Sequence, residues 1–414
     1  MTPHIRGTVV IEQWADLAHP EGVVLTPEDQ ARLRWHGVLA PASTANRFDI
    51  RIHIPQGQIT AEQLEALGWL SQVYASAPVI ITTEHTIVLR AVLLAEVAHV
   101  LAELASVGLT TQTSARELVR NVVGCPLADV DAEPLLDSSS LLATLRTQML
   151  RHPAFGVLPR HFVISVTGCA HRCTLHQRSD IGLTATRNAV GDAGYEVWLG
   201  GGHWQPFSDR QRLGIFVRET DVIEIVTQLV ELYRLHRNPV GQRRARLQTL
   251  LMAWGQERFR AVLATRLGRS LELASAEDNA RHTQPDHQGI GQQRTAKQIE
   301  PLYYLSARLV RSQLTGKELV RIAGLARLYG QGQVRFTAAQ QLVVLGVPNA
   351  NLPALQTELA TLGLLTNAPA PLLWPKFAAG QALARQRSYQ PSARFAAFAA
   401  ATASDSTSVE AANV

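Results

Sequence analysis

Two thiols, Cys169 and Cys173, stand four residues apart just after an alternating run from His161 to Val166 that Gly168 interrupts. On a helical turn that spacing puts both thiols on one face, as an iron or zinc site would need. Packed as small buried hydrophobes, they would do no chemistry. Downstream, Tyr195-Glu-Val-Trp-Leu reads as a strand running into Gly200, Gly201 and Gly202, and a triple glycine lets backbone approach a flat or anionic ligand closely. The chain has three cysteines, an odd number that argues against a disulfide framework and for reduced thiols or a metal site. Lysine occurs only at Lys297, Lys317 and Lys376, so cationic chemistry before them falls to arginine or histidine. Arginine's planar fork suits carboxylates and phosphates and does not readily give up a proton.

The elements that must position these residues follow from periodicity. A lead-in over residues 1–46 carries a short helical pattern at Pro27 to Trp35. Arg47 to Ile54 then alternates as a strand, Thr60 caps a helix running to about Tyr74, and Val79 to Thr82 and Ile87 to Ala91 form a hairpin. A helix from Ala95 to Val107 closes on Gly108, completing half of a ferredoxin-like sheet over residues 47–112. The unit returns: Ile59–Gln112 aligns without a gap on Leu314–Asn367, matching Thr60 to Thr315, Tyr74 to Tyr329 and Glu103 to Glu358. Two copies so far apart are not a solenoid; they are expected to pack as one pseudo-symmetric sheet. Between them lies a larger α/β module at 116–263, with helices at Ser139 to Met149, about Asp221 to Leu235 and Gln242 to Gly255. The polar run at 275–296 reads as a linker before the second copy at 297–367, and 368–414 is an Ala, Pro and Ser rich tail. The expected fold class is therefore α+β.

Composition narrows the function. Nearly half the residues are apolar, and no run approaches the roughly 18 that a membrane span requires, so the cytosol is the expected compartment. Net charge is +5, but the basic residues are scattered rather than gathered in a stripe with interleaved aromatics, which argues against nucleic acid.

FDIRIHIPQGQIT, VRNVVGCPLADVD, LPRHFVISVTGC, SDIGL, YEVWLGGG and VRFTAAQQLVVLGVP, in that order and spacing, resemble the siroheme-containing nitrite and sulfite reductases and their relative precorrin-3B synthase. The resemblance covers roughly Arg32 to Leu365 and implies an A, B, A′, B′ plan with siroheme between the halves. It also implies an iron-sulfur cluster bound by Cys-x5-Cys and Cys-x3-Cys in B′, a module this sequence does not show. The family's hairpin arginine falls on Glu84, a carboxylate that would repel an anion, and two substrate lysines fall on His161 and Val163. Of the cations facing siroheme, the resemblance retains Arg120 and Arg160, with Arg116, Arg151 and Arg172 on or beside the same elements and Gly200, Gly201 and Gly202 as close backbone. His161 becomes the nearest proton donor and, with Arg120, the catalytic candidate.

The resemblance further places Cys125 with Cys169 and Cys173 at the spacing of the family's first, third and fourth cluster ligands, with Asp131 at the second. A 4Fe-4S cluster on three thiolates would take Asp131, His171 or His176 as its fourth ligand. The competing expectation, which the absent fourth thiolate and absent lysines favour, is a relic in which Cys125 lies well away from the pair among apolar side chains. Three functions follow: a siroheme redox enzyme or subunit reducing sulfite or nitrite, a precorrin-3B synthase-like protein of cobalamin synthesis, and a non-catalytic tetrapyrrole-binding or partner subunit. The partners they bring in are a small anion or tetrapyrrole, an electron-donor protein and a subunit supplying the missing half-module.

Overall fold

The computed structural model describes residues 25–40, 46–112, 119–132, 134–151, 158, 162–171, 173–174, 176, 179–200, 212–236, 246–275, 287–294 and 300–366. The tail at 368–414 and most of the lead-in lie outside them; α1 (Pro27–Trp35) forms where expected, its N-cap Thr26 accepting from the Asp29 amide.

Each half-repeat is a sheet backed by two helices. The first runs β1 (Val38–Leu39), β2 (Arg47–His53), β3 (Gln58–Thr60), α2 (Ala61–Tyr74), β4 (Ala77–Ile81), β5 (Thr86–Leu93) and α3 (Leu94–Ser106). Ile50, Ile52, Ile87, Leu89 and Val92 point inward from the strands onto Leu64, Leu67, Val97 and Leu104 of the helices, giving one apolar core that continues into the second repeat. Burying each such side chain contributes roughly 1.5–3 kcal/mol. Thr60 starts α2 with a capping box: its Oγ1 accepts from the Gln63 amide at 3.1 Å and its own amide donates to Gln63 Oε1 at 3.1 Å.

The middle module follows as a six-stranded sheet of β6 (Val119–Gly124), β7 (Phe162–Thr167), β8 (Ile181–Arg187), β9 (Ala193–Leu199), β10 (Arg212–Val217) and β11 (Glu272–Leu273), in the order β11-β10-β9-β8-β7-β6. β6, β7 and β8 are parallel and the rest antiparallel. α4 (Ser139–Arg151), α5 (Val222–His236) and α6 (Leu247–Leu267) cover it around Phe162, Tyr195, Tyr233 and Phe259. α6 runs past its expected end: Gly255 turns at φ 76° and the helix resumes beyond it.

The second repeat comprises β12 (Ile290–Gln292), β13 (Leu302–Arg308), β14 (Gln313–Leu314), α7 (Gly316–Tyr329), β15 (Gln333–Phe336), β16 (Gln341–Pro348) and α8 (Leu352–Thr361). Thr315 caps α7 on Glu318 as Thr60 caps α2 on Gln63. The repeats do pack together, but as two stitched sheets rather than one continuous sheet. β14 of the second repeat pairs with β4 of the first, and β3 of the first pairs with β15 of the second. α2 and α7 approach closely because glycines face each other at the contact: a Cβ on Gly316 would sit 2.4 Å from the Gly68 carbonyl oxygen, and one on Gly68 would sit 2.7 Å from that of Gly316. The linker reading needs correction as well, since β12 pairs with β13 and both His287 and Gln293 are buried.

One buried histidine makes stability depend on pH. His85, in the β4–β5 hairpin at φ 53°, is inaccessible, and burial lowers its pKa to about 3. The unfolded chain takes up that proton near pH 6.5, so between about 6.5 and 3 the unfolded state holds more protons. The neutral-imidazole contribution is thus complete above about pH 6.5 and lost below it, at about 1.4 kcal/mol per pH unit. In urea melts across this range, His85→Asn, which also tolerates positive φ, is expected to flatten the acid-side slope. An unchanged slope would refute the assignment.

Candidate metal centre

β6 and β7 are parallel neighbours, so the turns leaving their ends lie side by side. Cys125 opens the first turn, where the Ala128 and Asp131 amides donate to Cys125 and Leu127 carbonyls and close it tightly. Cys169 and Cys173 occupy the second. Gly168 permits that turn, because a Cβ there would lie 2.0 Å from the Leu136 carbonyl oxygen, and the Thr167 and Thr174 hydroxyls bond across its base. The three sulfurs converge. Cys169 Sγ lies 3.6 Å from Cys173 Sγ, and Cys125 Sγ lies 3.2 Å from His287 Nε2. All four donor atoms lie within 4.8 Å of one another, and all four residues are buried. The expectation that Cys125 lies well away from the pair is overturned, while the apolar surround expected of packed thiols is present.

The fourth donor is His287, and none of the three residues expected from the sequence fills that place. Asp131 instead bridges to Gln293 in a short backbone pairing. The His171 ring packs edge-on against His287 with centroids 4.8 Å apart, and His176 packs on Trp198 at 4.9 Å. Charge in the group is uneven. Hydrogen bonds from the Cys125 and Cys173 thiols, with help from His287, hold Cys169 well below the usual thiol range. Burial pushes Cys125 up, and hydrogen bonding to Cys125 and Cys169 pushes Cys173 up. Cys169 is the first to ionise, and a cation at the group is what would let the other two follow.

The second repeat grips this loop. Leu127, Ala128 and the three thiols pack on Val343 and Leu345 of β16, with Tyr304 of β13 alongside. Arg335 of β15, 5% exposed, donates from Nη1 to the Pro126 carbonyl at 2.9 Å and forks both Asp129 oxygens at 3.2 Å. Arg294 adds hydrogen bonds to the Asp129 carbonyl at 3.0 Å and to Asp137 at 2.6 Å.

The family model described as the nitrite and sulphite reductase 4Fe-4S domain matches residues 116–271. The nitrite/sulfite reductase ferredoxin-like half domain matches twice, at 43–107 and 296–362. The chain belongs to the nitrite and sulfite reductase family. Ferredoxin–nitrite reductase of Synechococcus elongatus is 31% identical over 379 residues, covering 88% of this chain and 72% of that enzyme. Sulfite reductase [ferredoxin] 2 of Mycolicibacterium paratuberculosis is 28% identical over 321 residues, 77% of this chain and 56% of that one. The structure of the Mycobacterium tuberculosis NirA protein superposes with a TM-score of 0.73 at 25% identity, covering 86% of this chain and 67% of that one. Among the described residues, no helix is long and apolar enough to cross a membrane.

Of the residues the family resemblance assigned to siroheme or catalysis, Arg116, Arg160, His161, Arg172, Gly201 and Gly202 lie outside the described residues, as do the side chains of Arg120 on β6 and Arg151 at the end of α4. Gly200 is buried, its amide donating to the Asp180 carbonyl at 3.1 Å. β6 itself lies against the turn at Pro55–Gly57 of the first repeat, and its Val123 clusters with Val163 of β7 and Ala338 of the second. The two repeats differ on the face away from their helices. Where the second offers Tyr304, Val343 and Leu345, the first carries Asp49, Val88 and Arg90 at the matching positions, with Arg51 and His53 beside them. Glu84 does not stand as a bare repelling charge, since Arg51 pairs with it at 3.8 Å.

Proposed function

We propose that this chain is a redox protein that binds siroheme through its arginines and reduces a small oxyanion, sulfite or nitrite, with electrons from a protein donor such as the ferredoxin named for its relatives. The observation that carries the reading is the polar outer face of the first sheet. There Arg90 Nε is buried with no hydrogen-bond partner among the described residues, and a buried guanidinium nitrogen calls for an acceptor such as a cofactor carboxylate. Siroheme, when bound, would supply the iron at which six electrons from the protein donor reach the substrate. The chain's part is to bind and orient. Arg120 and Arg160 would pair with carboxylates, Gly201 and Gly202, following the buried Gly200, would admit the macrocycle to the backbone, and His161 would hold a proton for the substrate oxygens. The Cys125, Cys169, Cys173 and His287 group serves as the metal centre, offering an iron-sulfur cluster or a single ion three thiolates and an imidazole.

Absorption spectroscopy during siroheme titration of the purified chain tests the reading. Arg120→Ala, Arg160→Ala and Arg90→Leu are each expected to weaken binding by about 1.5–3 kcal/mol, the loss of a charge-assisted contact. Titrations unchanged in all three would reject the site. A bound corrinoid precursor in place of siroheme would turn the assignment to the precorrin branch of the family, and a chain that takes up neither chromophore would refute the tetrapyrrole reading.

A further inference from the structure

We propose that Cys125, Cys169, Cys173 and His287 hold one tetrahedral zinc ion rather than a cubane cluster, and that this ion staples the middle sheet to the second repeat. The inference rests on the reading of the four residues as a metal centre. Its ground is the spacing of the donors. Around a single ion with metal–sulfur bonds of about 2.3 Å and a metal–nitrogen bond of about 2.0 Å, tetrahedral donors sit about 3.5–3.8 Å apart. The observed separations of 3.6 Å between Cys169 Sγ and Cys173 Sγ, and 3.2 Å between Cys125 Sγ and His287 Nε2, are of that size, and no pair exceeds 4.8 Å. In a cubane each ligand hangs outside a different iron, and the thiolates stand about 6 Å or more apart.

Opening the group to that width would push every donor into a filled surround. Leu127, Ala128, Val343 and Leu345 close on the sulfurs. The Arg335 fork fixes the Cys125 turn from one side, and the Leu136 amide, donating to the Gly168 carbonyl at 3.0 Å, holds the start of the other. All four donors are buried and all are protein side chains, so the coordination is closed, the mark of a structural rather than a catalytic zinc. Two donor segments leave β6 and β7 of the middle sheet, and the third precedes β12, which is paired into the second repeat. An ion bound there stabilises the folded arrangement of both, because the unfolded chain offers no preformed site.

Metal and acid-labile sulfide analysis of the full chain, purified anaerobically from cells supplied with both zinc and iron, decides the matter. The expected result is about one zinc per chain without sulfide. Zinc should fall by at least tenfold in Cys173→Ser and His287→Ala, be retained in His287→Cys, and be replaceable by cobalt with the visible absorption of a tetrahedral thiolate site. About four irons and four sulfides per chain would overturn the single-ion proposal while leaving the metal centre standing. One iron without sulfide would overturn zinc alone. A folded wild-type chain that binds no metal would refute the metal centre itself.

Discussion

Replacing Arg335 with methionine will lower the free energy of unfolding by about 1–3 kcal/mol, because the change strands the buried Pro126 carbonyl, while the Asp129 carboxylate, 38% exposed, is left to water. Arg335 is the buried peg between β15 and the turn that follows Cys125, donating to the Pro126 carbonyl and both oxygens of Asp129. Methionine fills the volume of the arginine stem, so the loss reports the fork rather than a cavity. Arg294 reaches the same turn from a more exposed position, its side chain 43% accessible, and Arg294→Ala should cost only about 0.5–1 kcal/mol. Equilibrium urea melts give both numbers. Equal losses in the two variants would show that burial is not what gives the Arg335 fork its value.

Gly316→Val is expected to cost about 3 kcal/mol, an overpacking penalty with no cheap relief. The new Cβ would meet the Gly68 carbonyl oxygen at 2.4 Å and the Gln72 amide nitrogen at 3.1 Å, backbone atoms of α2 that move only if the two helices part. Gly324 provides the contrast. It lies on the exposed side of the same helix with nothing within 4 Å of its absent Cβ, so Gly324→Ala should raise stability by about 0.5–1 kcal/mol. Calorimetric melting of the pair separates helix contact from helix propensity, and a Gly316→Val protein as stable as wild type would mean the helices are not in contact there.

The repeat was legible because the features that fix its elements are local and strong. Thr60 and Thr315 each stand three residues ahead of a Gln or Glu that completes a capping box, and apolar strands and glycine stops recur at the same offset. The exchange of β3 and β14 was not, because two or three residues carry no periodicity and their pairing is decided by which neighbouring edge is open. The thiols were legible as candidates, and their convergence follows from β6 and β7 being parallel neighbours, a matter of topology that spacing does not encode. His287 was hidden in EDNARHTQPDHQGIGQQR, whose polarity reads as linker. The structural parallel is that β1 precedes β2 in the first repeat as β12 precedes β13 in the second, and His287 leads into β12.

The exchanged strands bear on how the chain emerges from the ribosome. β4 waits for β14, and Ile59 in β3 for Val334 in β15, so neither sheet can finish its edge until the second copy, 255 residues behind the first from Ile59 to Leu314, has been made. At about 5–20 residues per second that is a delay of roughly 10–50 s, during which β4, which carries Val79 and Ile81, presents an unpaired edge. A nascent chain stalled before residue 313 therefore exposes a surface that the finished protein never shows, and it is at that stage that a holding chaperone has something to grip.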